Sequence, residues 1–458
     1  MQFSMIDWPP YVLTAIHMLA AAGFDCWAVG GCVRDLALGK VPHDWDLTTD
    51  ALPDQTARVF SAFRQVHAGI RHGTVGVLID GKMLEITTYR IDGDYRDVRH
   101  PESVAFTRSL SEDLARRDFT VNAMALHPET GLFDPFHGMD DLQKGILRAV
   151  GEPEKRMKED ALRILRGLRF LARFGFSPDP DTDKAMRECK EELRDISAER
   201  IFTELDGMLV GKEVREVLEK YPDILSVVIP EIAPCVGCLQ HTPSHIYDVW
   251  GHIAASVEAI APEPVLRWTM LLHDIGKPER FRLDEKGVGH FKGHALTSAD
   301  KAETILTRLR CPGAMKKKII ALIRWHDMTI PPEKPVIRRW LSELGIDTMR
   351  RLIQVRQADN LAKNRALSAR RLEQAEQLSA LIEEVVSENP CLSLSQLAVK
   401  GSELGLPPGP EIGKILHALL DGVIDGTLPN EKEALIAESE RLHKKDTNPY
   451  EFDRKPGV

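Results

Sequence analysis

Residues 29–50 read VGGCVRDLALGKVPHDWDLTTD: a Gly-Gly pair, then an arginine, then two aspartates flanking a single tryptophan. Along a strand successive side chains alternate between faces, so Asp44 and Asp46 are expected to project together while Trp45 and Leu47 point the other way. Two carboxylates held side by side repel each other. That cost is tolerated when divalent cations sit between them, and hard oxygen donors of this kind suit Mg²⁺ shared with substrate phosphates. Upstream, Gly30 and Gly31 read as the end of a strand and the opening of a helix, where backbone amides can approach a triphosphate and Arg34 can neutralise it. Either element alone is commonly a plain turn or a solvated loop. Together, at this spacing, they point to phosphate chemistry.

Working outward, the chain alternates element types: an apolar-periodic stretch from Tyr11 to Ala22, a strand in FDCWAVGG, a short helix RDLALG and a strand around HDWDLTT. A helix with proline near its start follows in PDQTARVFSAFR. Two β-rich runs then flank Asp80-Gly81 in TVGVLIDGKMLEITTYR, a hairpin signal that puts Glu85 on a strand near the two aspartates as a candidate third metal ligand. From Glu152 onward the apolar period is 3.6, with breaks at SPDPD (177–181) and LPPGP (406–410). The expected fold is therefore α+β, a mixed head followed by an all-α remainder.

Composition narrows the class. A chain of 458 residues with 43% hydrophobic content is globular and long enough for several cores. It holds no apolar run of about eighteen residues or more and no signal-peptide pattern at MQFSMIDWPP, so the expectation is a soluble, cytoplasmic protein without membrane contact. Seven cysteines without framework spacing fit a reducing compartment, and the CxxC at Cys235 and Cys238 lacks a second ligand pair nearby, so it reads as a turn or buried thiols. A net charge of −9 argues against indiscriminate polyanion binding, and any nucleic-acid contact must come from local basic patches.

The stretch GGCVRD…HDWDLTT resembles motif A of the bacterial-type (class II) tRNA nucleotidyltransferase and poly(A) polymerase family, which includes the CCA-adding enzymes. RRDFTVNAMA (116–125) looks like motif B, DPFHGMDDLQKGILRAV (134–150) motif C, EDALRILRGLRFLARFGF (159–176) motif D and SAERIFTELDGML (197–209) motif E. The resemblance implies a polymerase-β-like nucleotidyltransferase head at 1–150, a helical neck with a nucleotide-recognition helix at 151–235, a helical body with an HD domain at 236–365 and a tRNA-contacting helical tail at 366–458. It also implies the activity: addition of C, C and A to a tRNA 3′ end from CTP and ATP with release of pyrophosphate, Asp44 and Asp46 holding Mg²⁺. A-adding enzymes and poly(A) polymerases of the same family share every one of these motifs and stand as the alternative.

Within 159–176, Asp160, Arg163, Arg166 and Arg169 fall three apart, along one slowly winding stripe of a helix. A salt-laced exposed helix would look the same. A carboxylate accepts from an exocyclic amine and a guanidinium donates to a ring nitrogen, a combination that cytosine and adenine satisfy and that uracil and guanine do not. The resemblance assigns Asp160 and Arg163 to reading the base, and gives Gly31, Arg34, Arg117, Arg166 and Arg169 to the nucleotide's phosphates. The segment DGDYRDVRHPESVAF (92–106) is similar to a flexible loop that CCA-adding members use to switch from C to A.

His252, the His273-Asp274 pair, His294, His326 and Asp359 lie on helix-like segments, and imidazoles with carboxylates are the usual ligands of divalent metals. Singly, each is commonly a hydrogen-bonded core residue. Their order resembles the HD phosphohydrolase set: His252, His273, Asp274 and Asp359 match its core, and His294 and His326 the extra ligands of two-metal members. This implies a second divalent-metal site and, as a further alternative, a metal phosphohydrolase. The stretch 397–430, with Lys400 and Lys414 beside Gly-rich turns, is similar to the tail that contacts tRNA in HD-containing members, where the acceptor arm and elbow are the expected partners.

Overall fold

The computed structural model describes residues 6–92 and 104–447. The chain divides into two compact units: the first runs to Val236 and includes Ile305–Cys311, and the second comprises Gly237–Thr304 and the chain from Pro312 onward.

The first unit opens with the elements α1 (Pro10–Ala21), β1 (Cys26–Val29), α2 (Gly31–Ala37), β2 (Asp46–Thr49), α3 (Pro53–Val59), β3 (Arg64–Val66), β4 (Thr74–Ile79), β5 (Lys82–Thr88), β6 (Arg90–Asp92), β7 (Val104–Phe106), α4 (Leu110–Ala115), β8 (Ala125–His127), β9 (Gly131–Phe133) and α5 (Gly138–Lys144). Seven strands form one mixed sheet in the order β3-β4-β5-β2-β1-β8-β9, with β2 and β5 parallel and its other neighbours antiparallel. Alternation makes the core: Val75, Val77 and Ile79 of β4 and Leu84 and Ile86 of β5 are buried, and Val12, Ile16 and Leu19 of α1 are buried with them. Asp80 and Gly81 both take positive φ, 49° and 74°, and close the β4–β5 hairpin between paired Ile79 and Lys82, as the primed turn geometry requires.

The segment 92–106, expected to be a loop throughout, is strand at its ends, where β6 and β7 pair antiparallel; its centre, 93–103, lies outside the described residues. The expected strand around HDWDLTT begins only at Asp46. Asp44 precedes it, yet the expected alternation persists: Trp45 is buried and Asp44 and Asp46 are exposed.

Helices then take over, α6 (Pro153–Glu159) and α7 (Leu162–Phe174) first, with α7 packed on a later helix, Ala198–Leu209. This corrects the reading of 159–176 as one helix. Chain direction changes at Asp160, whose backbone is extended (φ −149°, ψ 100°), so Asp160 stands ahead of α7 while Arg163, Arg166 and Arg169 stand on it. Leu162, Ile164, Leu165, Leu168 and Leu171 bury one face of α7, and Gly175, at φ 70°, ends it by turning its N–H back to the Leu171 carbonyl.

The second unit is almost wholly helical, and its helices include Val249–Ala259, Pro264–Leu272, Gly313–Trp325, Ile346–Leu361 and Arg365–Ser387. Near its end Leu397, Val399, Leu404, Ile415, Leu419, Ile424 and Leu435 form a small core of their own. No helix among the described residues is long and apolar enough to cross a membrane.

One buried ion pair ties the sheet unit's loops to α7. Asp118 accepts from Arg166 at 2.6 and 2.8 Å, from the Phe119 N–H at 2.8 Å and from Asn122 at 3.1 Å. Burial alone would push this carboxyl up; Arg166, Asn122 and the Phe119 amide more than offset it and hold it down at about 2. Because the unfolded value is about 3.9, this stabilisation is complete above pH ~4 and is lost as pH falls towards 2. Asp118→Asn is expected to cost about 2 kcal/mol at pH 7, lowering the unfolding temperature by roughly 4–8 °C, with the gap from the unsubstituted protein closing between pH ~4 and ~2 in thermal melts.

Candidate functional site

The sheet unit carries a cavity of about 410 Å³ at the junction of β1, β2 and α7. Its lining brings together Gly30, Gly31, Arg34, Asp46, Arg117, Asp160, Arg163, Arg166 and Arg169, nearly all of the sequence-predicted nucleotide site, with Arg116, Asp118, Asn122, Phe170, Arg173 and Arg200, which the sequence reading had not assigned. Eight arginines against three aspartates make the lining strongly cationic, a surface suited to a polyphosphate.

The geometry starts where β1 ends. Gly30 takes φ 75°, ψ −126°, a conformation that side-chain-bearing residues rarely adopt, so the tight turn into α2 needs glycine. In register, Asp46 lies between Val29 of antiparallel β1 and Glu85 of parallel β5. Partners in register share a face, which brings Glu85 alongside Asp46. Partial burial first, then the Glu85 and Asp44 carboxylates, raise the Asp46 carboxyl above its usual range against the pull of Arg117. Behind this edge the Trp45 ring packs on Trp8, centroids 5.0 Å apart. Asp46 lines the cavity, whereas Asp44 and Glu85 do not.

Most of these arginines are held by carboxylate or carbonyl oxygens. Arg34 donates to Asp35 at 2.8 and 3.0 Å and to Asn122 at 2.6 Å, and its guanidinium lies 4.8 Å from the Phe174 ring centroid. Arg117 reaches the buried Asp113 at 3.4 Å, Arg166 pairs with Asp118, and Arg169 donates to Glu204 at 2.6 Å. Arg163 is buried and committed to the Arg156 and Arg116 carbonyls (2.8 and 3.0 Å) and to Glu159 (2.8 Å). Asp160 accepts from Arg200 at 2.7 Å and from the Leu162 N–H at 3.1 Å. Asp118 and Asn122 sit in the RRDFTVN stretch, where a signal was present. Nothing in the sequence alone ties Arg200 to Asp160.

The second unit holds a different site. His252, His273, Asp274 and Asp359 form one group of donors, and Asp274, His294 and His326 another, with ligand atoms in each group all within 4.8 Å of one another. Their Nδ1 atoms face backbone carbonyls: His273 to Met270 at 2.7 Å, His326 to Ile323 at 2.7 Å, His294 to Phe291 at 2.9 Å and His252 to Ala362 at 3.4 Å. A neutral imidazole donating from Nδ1 presents a bare lone pair at Nε2, and the Nε2 atoms of His294 and His326 meet at 3.3 Å. His273 Nε2 and both Asp274 carboxylate oxygens are buried, with Lys277 at 2.6 Å and His273 at 3.2 Å from Oδ2 and His294 at 3.2 Å from Oδ1. Burial opposes ionisation of Asp274, but a protonated His273 and Lys277 hold its carboxyl well below the usual range. Against the cost of burial Asp274 in turn raises His273 to about 9, so without a cation His273 carries the positive charge that a metal would replace. Converging lone pairs on a buried carboxylate, each imidazole oriented from behind by a carbonyl, fit a divalent cation. A second cavity of about 410 Å³ opens beside this group, rimmed by Lys277, Lys292, Lys363 and Arg371. Neither Cys235 nor Cys238 belongs to a donor group among the described residues.

Comparison with known proteins establishes the family. The family model of the Poly A polymerase head domain matches residues 26–148, that of the probable RNA and SrmB-binding site of polymerase A matches 175–235, and that of the putative tRNA nucleotidyltransferase domain 2 matches 293–438. The chain is 34% identical to a CCA-adding enzyme of Streptococcus gordonii over 93% of its own length and 95% of the relative's, and 32% identical to one of Geobacillus stearothermophilus over 94% and 96%. A crystal structure of the Bacillus stearothermophilus CCA-adding enzyme in complex with CTP superposes with a TM-score of 0.72 at 28% identity, covering 98% of this chain and 100% of the other. Identity of about a third sustained over 93% of the chain exceeds what a shared fold accounts for, and the chain belongs to the family of CCA-adding enzymes.

Proposed function

We propose that this protein completes tRNA 3′ ends by adding C, C and A, the tRNA 3′-hydroxyl attacking the α-phosphorus of CTP or ATP while pyrophosphate leaves, in the cytoplasm where tRNA and both nucleotides are found. The observation that carries the reading is the single cavity in which an arginine cluster, Asp46 and the Asp160–Arg163 pair converge. Asp44, Asp46 and Glu85 are the residues that would hold Mg²⁺, which when bound neutralises phosphate charge and makes the hydroxyl a better nucleophile. The raised Asp46 carboxyl, crowded by like charge, supports that fit.

The chain's own groups do the rest. Arg34, Arg117, Arg166 and Arg169, with the Gly31 amide at the start of α2, bind the triphosphate and take up charge as pyrophosphate departs. Held by Asp35 and Asn122, Asp113, Asp118 and Glu204, they need little rearrangement as that charge develops. Asp160 accepts from the amine of cytosine or adenine and Arg163 donates to the neighbouring ring nitrogen, so protein side chains replace a nucleic-acid template. Lys400 and Lys414, both exposed in the tail, suit contact with tRNA phosphates.

Asp44→Ala and Asp46→Ala should each cut nucleotide addition by more than about a hundredfold while tRNA binding persists. Radiolabelled CTP or ATP incorporation on tRNAs ending before, within and after CCA, alongside a gel-shift titration, tests this; addition surviving in both variants would remove the carboxylates from the chemistry. The same three tRNAs separate CCA addition from A addition or polyadenylation. Asp160→Ala should lose preference for CTP and ATP over UTP and GTP by about tenfold to a hundredfold, more than it slows CTP use, because an unpaired polar group is what penalises the wrong base. An unaltered preference would move base selection elsewhere.

The inward-facing histidine cluster supports a second activity, metal-dependent phosphoester hydrolysis in the second unit, with His252, His273, Asp274 and Asp359 as core ligands and His294 and His326 completing a second position. Asp274 belongs to both donor groups. Asp274→Ala should therefore release most of the bound divalent metal, measured by elemental analysis after dialysis, and abolish phosphatase or cyclic phosphodiesterase turnover while leaving CCA addition unchanged. Full metal content in the variant would refute the cluster as a cation site.

A further inference from the structure

We infer that Arg200 is a specificity-determining residue that positions the Asp160 carboxylate for base selection, an inference that rests on the reading of Asp160 as the acceptor of the base's amine. The two members of the reading pair are anchored by different means. Arg163 is fixed by main-chain oxygens, those of Arg156 and Arg116, together with Glu159. Asp160 stands on extended backbone between α6 and α7, outside any helix. Its Oδ1 accepts from the Leu162 N–H at 3.1 Å and its Oδ2 from Arg200 at 2.7 Å.

The terminal torsion of an aspartate is broad, so one bond leaves the carboxylate plane free to turn. The second bond, to Arg200, stops it. A carboxylate oxygen accepts about two hydrogen bonds, so both contacts leave lone pairs for an incoming amine. Arg200 comes from the helix Ala198–Leu209, lines the same cavity and keeps its side chain 40% exposed, so removing its guanidinium opens no core. Without it, the acceptor loses its fixed direction, and rejection of a base that presents a carbonyl at that position weakens.

The test uses the full-length protein and a tRNA ending at its discriminator base, with kcat and KM measured for CTP, ATP, UTP and GTP. Arg200→Met is expected to raise UTP use relative to CTP by about tenfold in kcat/KM, chiefly through a higher KM for CTP, with Arg200→Lys recovering part of the preference. Arg200→Ala repeats the deletion should the methionine variant fold poorly, and thermal melts check integrity. In the double variant with Asp160→Ala, the loss of Arg200 should add no further relaxation. If Arg200→Met and Arg200→Ala slow all four nucleotides by one factor while Asp160→Ala alters preference, Arg200 is structural and the inference is overturned. If Asp160→Ala also keeps the original preference, the base-reading assignment itself falls, and the role of Arg200 with it.

Discussion

Gathering eight arginines around one cavity is the constraint on which the sheet unit depends, because like charges at this density repel unless each is paired. Two buried carboxylates meet much of that demand: Asp113 pairs with Arg116 and Arg117, and Asp118 with Arg166. Asp118 binds Arg166 of α7 directly and orients Asn122, whose side-chain oxygen receives Arg34 from α2. One carboxylate thus links the helix that follows the Gly-Gly turn to the helix that carries the arginine stripe. Glu204 likewise joins its helix to α7 through Arg169, while Asp35 and Asp113 neutralise Arg34 and Arg117 locally. Leftover positive charge faces the cavity, where a triphosphate would meet it.

The second unit solves the opposite problem. Its cluster gathers imidazole nitrogens around the buried Asp274 and Asp359 carboxylates, donor groups that could hold a cation. The orienting groups also differ in kind. Most of the arginines are placed by side-chain carboxylates, Arg163 being held mainly by main-chain carbonyls, and the histidines by backbone carbonyls that fix which ring nitrogen faces inward. Lys277 and Lys363, at 2.6 and 2.5 Å from Asp274 and Asp359, stand between the donor set and the cavity beside it.

Much of this was legible in the chain itself, wherever chemistry and spacing were local. Glycines at 30 and 31 stated the turn, Asp44 and Asp46 stated a shared face, Asp80-Gly81 stated the hairpin, and the order of histidines and aspartates from 252 to 359 stated a donor set. Such signals survive because backbone periodicity and turn sterics act over a few residues. The helix drawn across 159–176 was the instructive error. The apolar spacing of α7 extends back through Ala161 to Met157, and the break at Asp160 carries neither glycine nor proline to announce it.

Sequence by itself determined which groups were available: two carboxylates on one face, a run of arginines one helical turn apart, imidazoles in sufficient number for metal. Tertiary structure alone decided who faces whom. Register placed Glu85 beside Asp46, packing of α7 brought Arg166 to Asp118 across 48 residues, and Arg200 reached Asp160 across 40. Those pairings depend on strand order and helix packing, which long-range burial sets and which short-range pattern does not encode.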